Sequence, residues 1–140
     1  MDKKDISQIR AFNRDYVLIL GILNNNMKDL AYSLTEGRIL FEIHEGKQVI
    51  ANQLAHKLQL DRSYLNRLIN QLVHKGLIEK IPSTNDHRAK ILALTTLGES
   101  ELEEINFQNE QLTADLFENF SEEELTKIID AMTLISRRLL

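Results

Sequence analysis

Five side chains, Ser63, Asn66, Arg67, Asn70 and His74, recur at helical spacing between Arg62 and His74. All can donate hydrogen bonds, and most can also accept them. Grouped on one side of a helix, such groups can bond to base-pair edges in a major groove, where each pair shows its own pattern of donors and acceptors. The other side of the same stretch reads differently. Leu65, Leu68, Ile69, Leu72 and Val73 fall at the i, i+3, i+4, i+7, i+8 spacing of a buried stripe. The spacing predicts a helix over 62–74 with one face for packing and one for chemistry.

Such a helix needs neighbours that hold it. Residues 51–58 read as a compact helix with Ala51, Leu54, Ala55 and Leu58 inward. Gln59-Leu60 makes the turn, and the Asp61 carboxylate can cap the helix that follows. Gly76 ends that helix. Leu77 to Ile81 and Ala89 to Leu94 are extended runs around a polar tip, Pro82 to Arg88, and together predict a hairpin. Gln48-Val49-Ile50 can pair at the edge of that small sheet. Upstream, Ile6, Ile9, Tyr16, Ile19, Leu20 and Leu23 suggest a long first helix fading at Asn24-Asn25-Asn26, with a short helical piece around 27–31. Ser33-Leu34-Thr35-Glu36 has capping-box spacing before a second helix, and Gly46 offers it a left-handed cap. Thr96 to Glu99 and Ser121 to Glu124 repeat the capping spacing before two C-terminal helices. The expected fold is mainly α with a small β-hairpin. Its expected regions are an N-terminal helical region 1–32, a winged helix-turn-helix core 33–98 and C-terminal helices 99–140.

The chain has 140 residues and a net charge of −4, which looks wrong for a partner of nucleic acid until the charge is divided. Between Lys47 and Lys90 stand eight basic and three acidic residues, a local +5, while the remainder holds 9 basic and 18 acidic, or −9. An electrostatic footprint is local, so the segregation carries more information than the sum. The absence of cysteine excludes disulfides and thiolate chemistry and fits a cytoplasmic setting. No apolar run approaches the roughly 20 residues of a membrane helix, and Met1 to Asp5 lack the apolar core of a secretion signal. No membrane, cofactor or metal is expected. The serines lack a histidine and acid at readable spacing, and no glycine loop could cradle a phosphate, so no enzyme activity is expected either.

The apolar stripes need a partner. Ile128, Ile129, Met132, Ile135 and Leu139 line the last helix, and Leu102, Ile105 and Leu112 the one before it. A core of about 50 residues cannot cover these together with the first helix. A homodimer with interlocked terminal helices is expected, its two reading helices meeting successive major grooves about 34 Å apart on a pseudo-palindromic duplex.

The runs Leu60-Asp61-Arg62-Ser63-Tyr64-Leu65-Asn66-Arg67-Leu68, Gly76-Leu77-Ile78-Glu79-Lys80, Asp86-His87-Arg88-Ala89-Lys90 and Leu94-Thr95-Thr96-Leu97-Gly98 resemble the MarR family of winged-helix transcriptional regulators. The likeness covers nearly the whole chain. Ile9 to Arg14 and Tyr32 to Arg38 are similar to a subgroup fused to an acetyltransferase, a domain for which 140 residues leave no room. The resemblance implies that Arg62, Ser63, Tyr64, Asn66 and Arg67 lie on the DNA-recognition helix. It implies that Arg88 is the wing arginine and Asp86 the carboxylate that orients it. His87 stands where the family often has a second arginine. Asn70 and Lys90 complete the expected DNA contacts. Tyr64 reads equally as a contact to DNA or as packing, and Lys57, Lys75 and Lys80 as phosphate contacts or solvated lysines. The resemblance also implies a small-molecule effector bound between the dimer helices and the winged core, with Phe12, Tyr16, Phe41 and Ile43 as lining or core residues. The expected function is a ligand-responsive repressor that binds double-stranded DNA. The alternatives are a winged helix that docks a protein partner and a truncated acetyltransferase-associated domain.

Overall fold

The computed structural model of the chain describes residues 1–26, 32–85 and 88–140. Among these, the element order is α1 (Lys3–Asn26), α2 (Leu34–Glu45), β1 (Val49–Ile50), α3 (Ala51–Leu58), α4 (Arg62–His74), β2 (Ile78–Pro82), β3 (Lys90–Leu94), α5 (Thr96–Phe117) and α6 (Glu122–Leu139). The three strands form one antiparallel sheet in the order β1-β3-β2. Val49 pairs with Leu92, and the hairpin is in register from Ile78–Leu94 to Pro82–Lys90. The two-residue β1 survives because it only has to complete an edge.

The core is assembled around the face of α4 predicted for packing. Leu65, Ile69 and Leu72 are sealed from solvent against Ile39 and Leu40 of α2, Leu54 of α3, Leu77, Ile78 and Leu92 of the sheet region, and Leu102 and Ile105 of α5. Val73 is half-buried at its margin. Removing a side chain such as Leu65 costs about 2–5 kcal/mol in a core of this kind, so the orientation of α4 is held firmly.

Helix ends follow local chemistry. Ser33 and Ser121 each form a complete capping box, with Glu36 and Glu124 returning the bond. Asp61 accepts from the Tyr64 N–H at 2.9 Å. Gly76, at φ +79, closes α4: its N–H bonds the Val73 carbonyl and the Leu77 N–H bonds Leu72, both at 3.0 Å. A side chain would be strained in that left-handed position.

Three local expectations change. Helix α1 continues through the asparagines to Asn26, because its backbone bonds outweigh their weak turn preference. Gly46 is extended, at φ −84 and ψ 154, and caps α2 without left-handed backbone. A Cβ there would run into the Val49 side chain, so close approach is its reason for being glycine. Helix α5 is capped by Thr95, not Thr96: the Thr95 hydroxyl accepts from the Gly98 N–H at 3.0 Å and donates to the Gly76 carbonyl at 2.5 Å. The short helical piece expected over 27–31 lies outside the described residues.

Candidate nucleic-acid interface

The turn before α4 is made by Gln59 in left-handed backbone, φ 50 and ψ 42. It swings the chain so that α4 lies across α3 with its polar face outward. Ser63, Asn66, Arg67, Asn70, Gln71 and His74 share that outer face. On its flank a cleft opens between α4, the start of α3 and the β2–β3 hairpin. Asn52, Arg62, Asn66, Lys80, Arg88 and Lys90 supply its polar lining, and no described lining residue is acidic. Ile50 gives α3 no side-chain cap. The first N–H groups of α3 therefore lie at the cleft with no side chain capping them, and they favour an anion there.

Two side-chain contacts order the outer face. The Arg67 guanidinium lies 5.3 Å from the Tyr64 ring centroid. Tyr64 remains 37% exposed, so it is a platform for the arginine and not a core residue. The Lys80 ammonium, on β2, donates to Asn70 Oδ1 at 2.7 Å and ties the hairpin to α4.

Two other lysines point the other way. Glu42 of α2 is buried, and its carboxylate accepts from Lys57 Nζ and from Arg38 Nε, the latter at 2.9 Å. The Lys57 bond outweighs burial and holds the Glu42 carboxyl below the ordinary glutamate value. For Glu36, burial pushes upward, but bonds from the Ser33 N–H at 2.7 Å and from Lys75 at 3.1 Å prevail, and its carboxyl is lowered too. Lys75 also sits 4.9 Å from the Tyr32 ring centroid. Burial, and then the charge of Glu101, push the Tyr32 hydroxyl above its usual value. Lys57 in the last turn of α3 and Lys75 at the end of α4 thus serve as bolts between the reading helices and α2.

The MarR family model matches residues 32–90, which span α2 through the start of β3. The chain is 27% identical over 108 residues to the multiple antibiotic resistance protein MarR of Salmonella typhimurium, covering 76% of this chain and 75% of that one. Over residues 32–90 the chain is thus similar to the MarR family. Among solved structures, its fold is similar to that of a MarR family protein from Bacillus stearothermophilus, with a TM-score of 0.86, 17% identity, and coverage of 99% and 98% of the two chains. It is also similar to a mutant MarR from E. coli complexed with operator DNA, with a TM-score of 0.78, 23% identity and full coverage of both chains.

Set within this MarR fold, the predicted site residues divide. Arg62, Asn66, Arg88 and Lys90 meet at the cleft, while Ser63, Asn66, Arg67 and Asn70 meet on the outer face, with Tyr64 beneath Arg67. Asp86 and His87 lie outside the described residues. Sequence reasoning passed over Asn52. Its signal was its place in the first turn of the helix that precedes the turn, next to the open N–H groups. It also passed over Glu42, and read Glu36 only as a capping residue, because their polar type hid their burial. Of the residues named for an effector pocket, Ile43 is in the core, Phe12 stacks on Tyr16 at 5.3 Å on α1, and Phe41 lines a shallow groove between α2 and α5 beside Arg38 and Asn106. Among the described residues no group of acidic or histidine side chains could hold a metal ion, and no helix is long and apolar enough to cross a membrane.

Proposed function

We propose that this chain is a cytoplasmic repressor that binds a pseudo-palindromic operator as a homodimer and is released by a small-molecule effector. The observation that carries the DNA-reading part is one surface: a polar face of α4 continuous, through Asn66, with a basic cleft that reaches the hairpin. Arg62 and Lys90 would hold the phosphate backbone, with Asn52 and the start of α3 beside them. Ser63, Asn66, Arg67 and Asn70 would face base edges. Arg88, at the hairpin tip, would reach an adjoining minor groove, whose negative potential draws an arginine in. Asp86 would orient that arginine, and His87 would add a charge that depends on pH.

Dimerisation follows from what the single chain leaves bare. Helix α6 has no buried residue, and Ile9, Phe12, Val17 and Leu18 of α1 are about half exposed or more. An effector seated near Phe41 and Arg38, against the dimer helices, would favour a spacing of the reading helices that no longer matches the grooves. No catalytic role is assigned to any residue.

Selection of bound fragments from random duplex DNA tests the reading directly. The expected result is an enriched site with two-fold symmetry and half-sites about one helical turn apart. Affinity for it should fall by about 0.9 log units per neutralised phosphate per log unit of salt. No enriched sequence, with binding flat in salt, would favour the protein-docking alternative.

A further inference from the structure

The contact between Lys80 and Asn70 sets what Asn70 can read. A lysine ammonium has hydrogens to give and no lone pair to receive. Its partner at 2.7 Å must therefore be the carbonyl oxygen of the amide, and the Nδ2 amino group is turned to the other side. Asn70 is exposed and shares the outer face of α4 with Asn66 and Arg67, so that amino group is free to meet a ligand.

An asparagine that reads adenine uses both ends of its amide: Oδ1 accepts from N6–H while Nδ2 donates to N7. Here the first half of that exchange is obstructed. One Oδ1 lone pair is occupied, and the positive charge beside it disfavours the approach of a second donor. What remains at this spot is a set of donors, the Nδ2 hydrogens and the spare hydrogens of the Lys80 ammonium. Guanine presents two adjacent acceptors, N7 and O6, whereas adenine presents one acceptor beside a donor.

We infer that Asn70 and Lys80 form a donor-only pair that selects guanine over adenine at one position of each half-site. In this pair Asn70 would touch the base, and Lys80 would act first as a positioning residue that fixes the amide. The inference rests on the DNA-reading function proposed above.

The full chain and its Lys80→Met, Lys80→Arg and Asn70→Ala variants are each used to select from random duplex DNA, and their affinities for the enriched and a scrambled duplex are followed across salt. The wild-type chain should enrich guanine at a fixed place in each half-site, and Asn70→Ala should erase that preference. Lys80→Met should lower the guanine-to-adenine ratio there by about tenfold, the order of discrimination that one base-edge pair supplies, with other positions unchanged. Lys80→Arg, still donor-only, should keep guanine. If Lys80→Met instead weakens both duplexes alike, with a shallower salt slope and an intact base preference, Lys80 is a phosphate contact and the inference is overturned. Adenine at the position that Asn70→Ala erases overturns it too, while leaving the DNA-reading function standing. A wild-type chain that enriches no sequence overturns both.

Discussion

Arg67 forms no salt bridge among the described residues, and its guanidinium rests 5.3 Å from the ring centroid of Tyr64. A guanidinium resting on an aromatic face keeps its donors free at its edge and loses fewer rotamers when it binds. Arg67→Ala is expected to cost about 1–3 kcal/mol on the selected duplex and less on a scrambled one, as read by fluorescence anisotropy. Tyr64→Leu leaves the charge and removes the platform, so a smaller loss of about 0.5–1 kcal/mol is expected. Equal losses on both duplexes would place Arg67 on phosphate. The buried glutamates make a separate residue-scale prediction. Their carboxyls lie below the ordinary value of 4.5 when folded, so the folded chain holds fewer of their protons than the unfolded one near that pH. Their stabilisation is therefore present in full above about pH 5 and is lost as pH falls through the lowered values. Denaturant midpoints should drop below pH 4.5, and the drop should be shallower in a Glu36→Gln, Glu42→Gln double variant, whose amides at these two positions do not titrate.

At the scale of elements, the spaced glycines knit the recognition unit to α5. The Leu77 carbonyl accepts from the Thr95 N–H at 3.0 Å, and a Cβ on Gly98 would collide with that same carbonyl. Gly98→Ala must push the start of α5 off the sheet, and a loss of about 1–3 kcal/mol in unfolding free energy is expected. Gly76→Ala, strained at a left-handed position, should cost about 1–2 kcal/mol. Wild-type stability in Gly98→Ala would show that the contact is slack, and in Gly76→Ala that the left-handed turn relaxes without cost. This junction also marks how far the sequence could be read. Periodicity and capping are local, so α3, α4, the hairpin and the boxes at Ser33 and Ser121 were legible from neighbours within four residues. Gly76 was legible as the stop of α4, whereas Gly98 was visible only as part of a resemblance, because its cause, the Leu77 backbone carbonyl, needs the fold. Lys57 and Lys75 could not be separated from solvated lysines, because Glu42 and Glu36 reach them across the chain, the latter over 39 residues. The Asn70–Lys80 contact was hidden in the same way, since it joins a helix to a strand that only the hairpin register brings alongside.

For the whole molecule, the two charge regions and the uncovered stripes belong to one design. Between Thr96 and Phe117 the chain carries six acidic residues and no basic one, so α5 repels phosphate and leaves the α4–hairpin side as the face that can approach DNA. A single copy so oriented would present one basic face to a duplex. Two copies joined rigidly make the second contact intramolecular, and this raises affinity by about 10²–10⁴-fold without any new type of bond. The joint is testable without touching the reading face. Ile129 and Ile135 of α6 are 60% and 47% exposed, and neither belongs to the core cluster. An Ile129→Glu, Ile135→Glu variant should therefore keep its winged core folded by circular dichroism while sedimenting as a monomer. Its affinity for the symmetric duplex should fall by about 10²–10⁴-fold. The salt slope should halve, because each bound particle then releases half the counterions. A variant that sediments as a monomer yet binds with wild-type affinity and slope would separate DNA recognition from dimerisation, and the stripes on α1 and α6 would then need a different occupant.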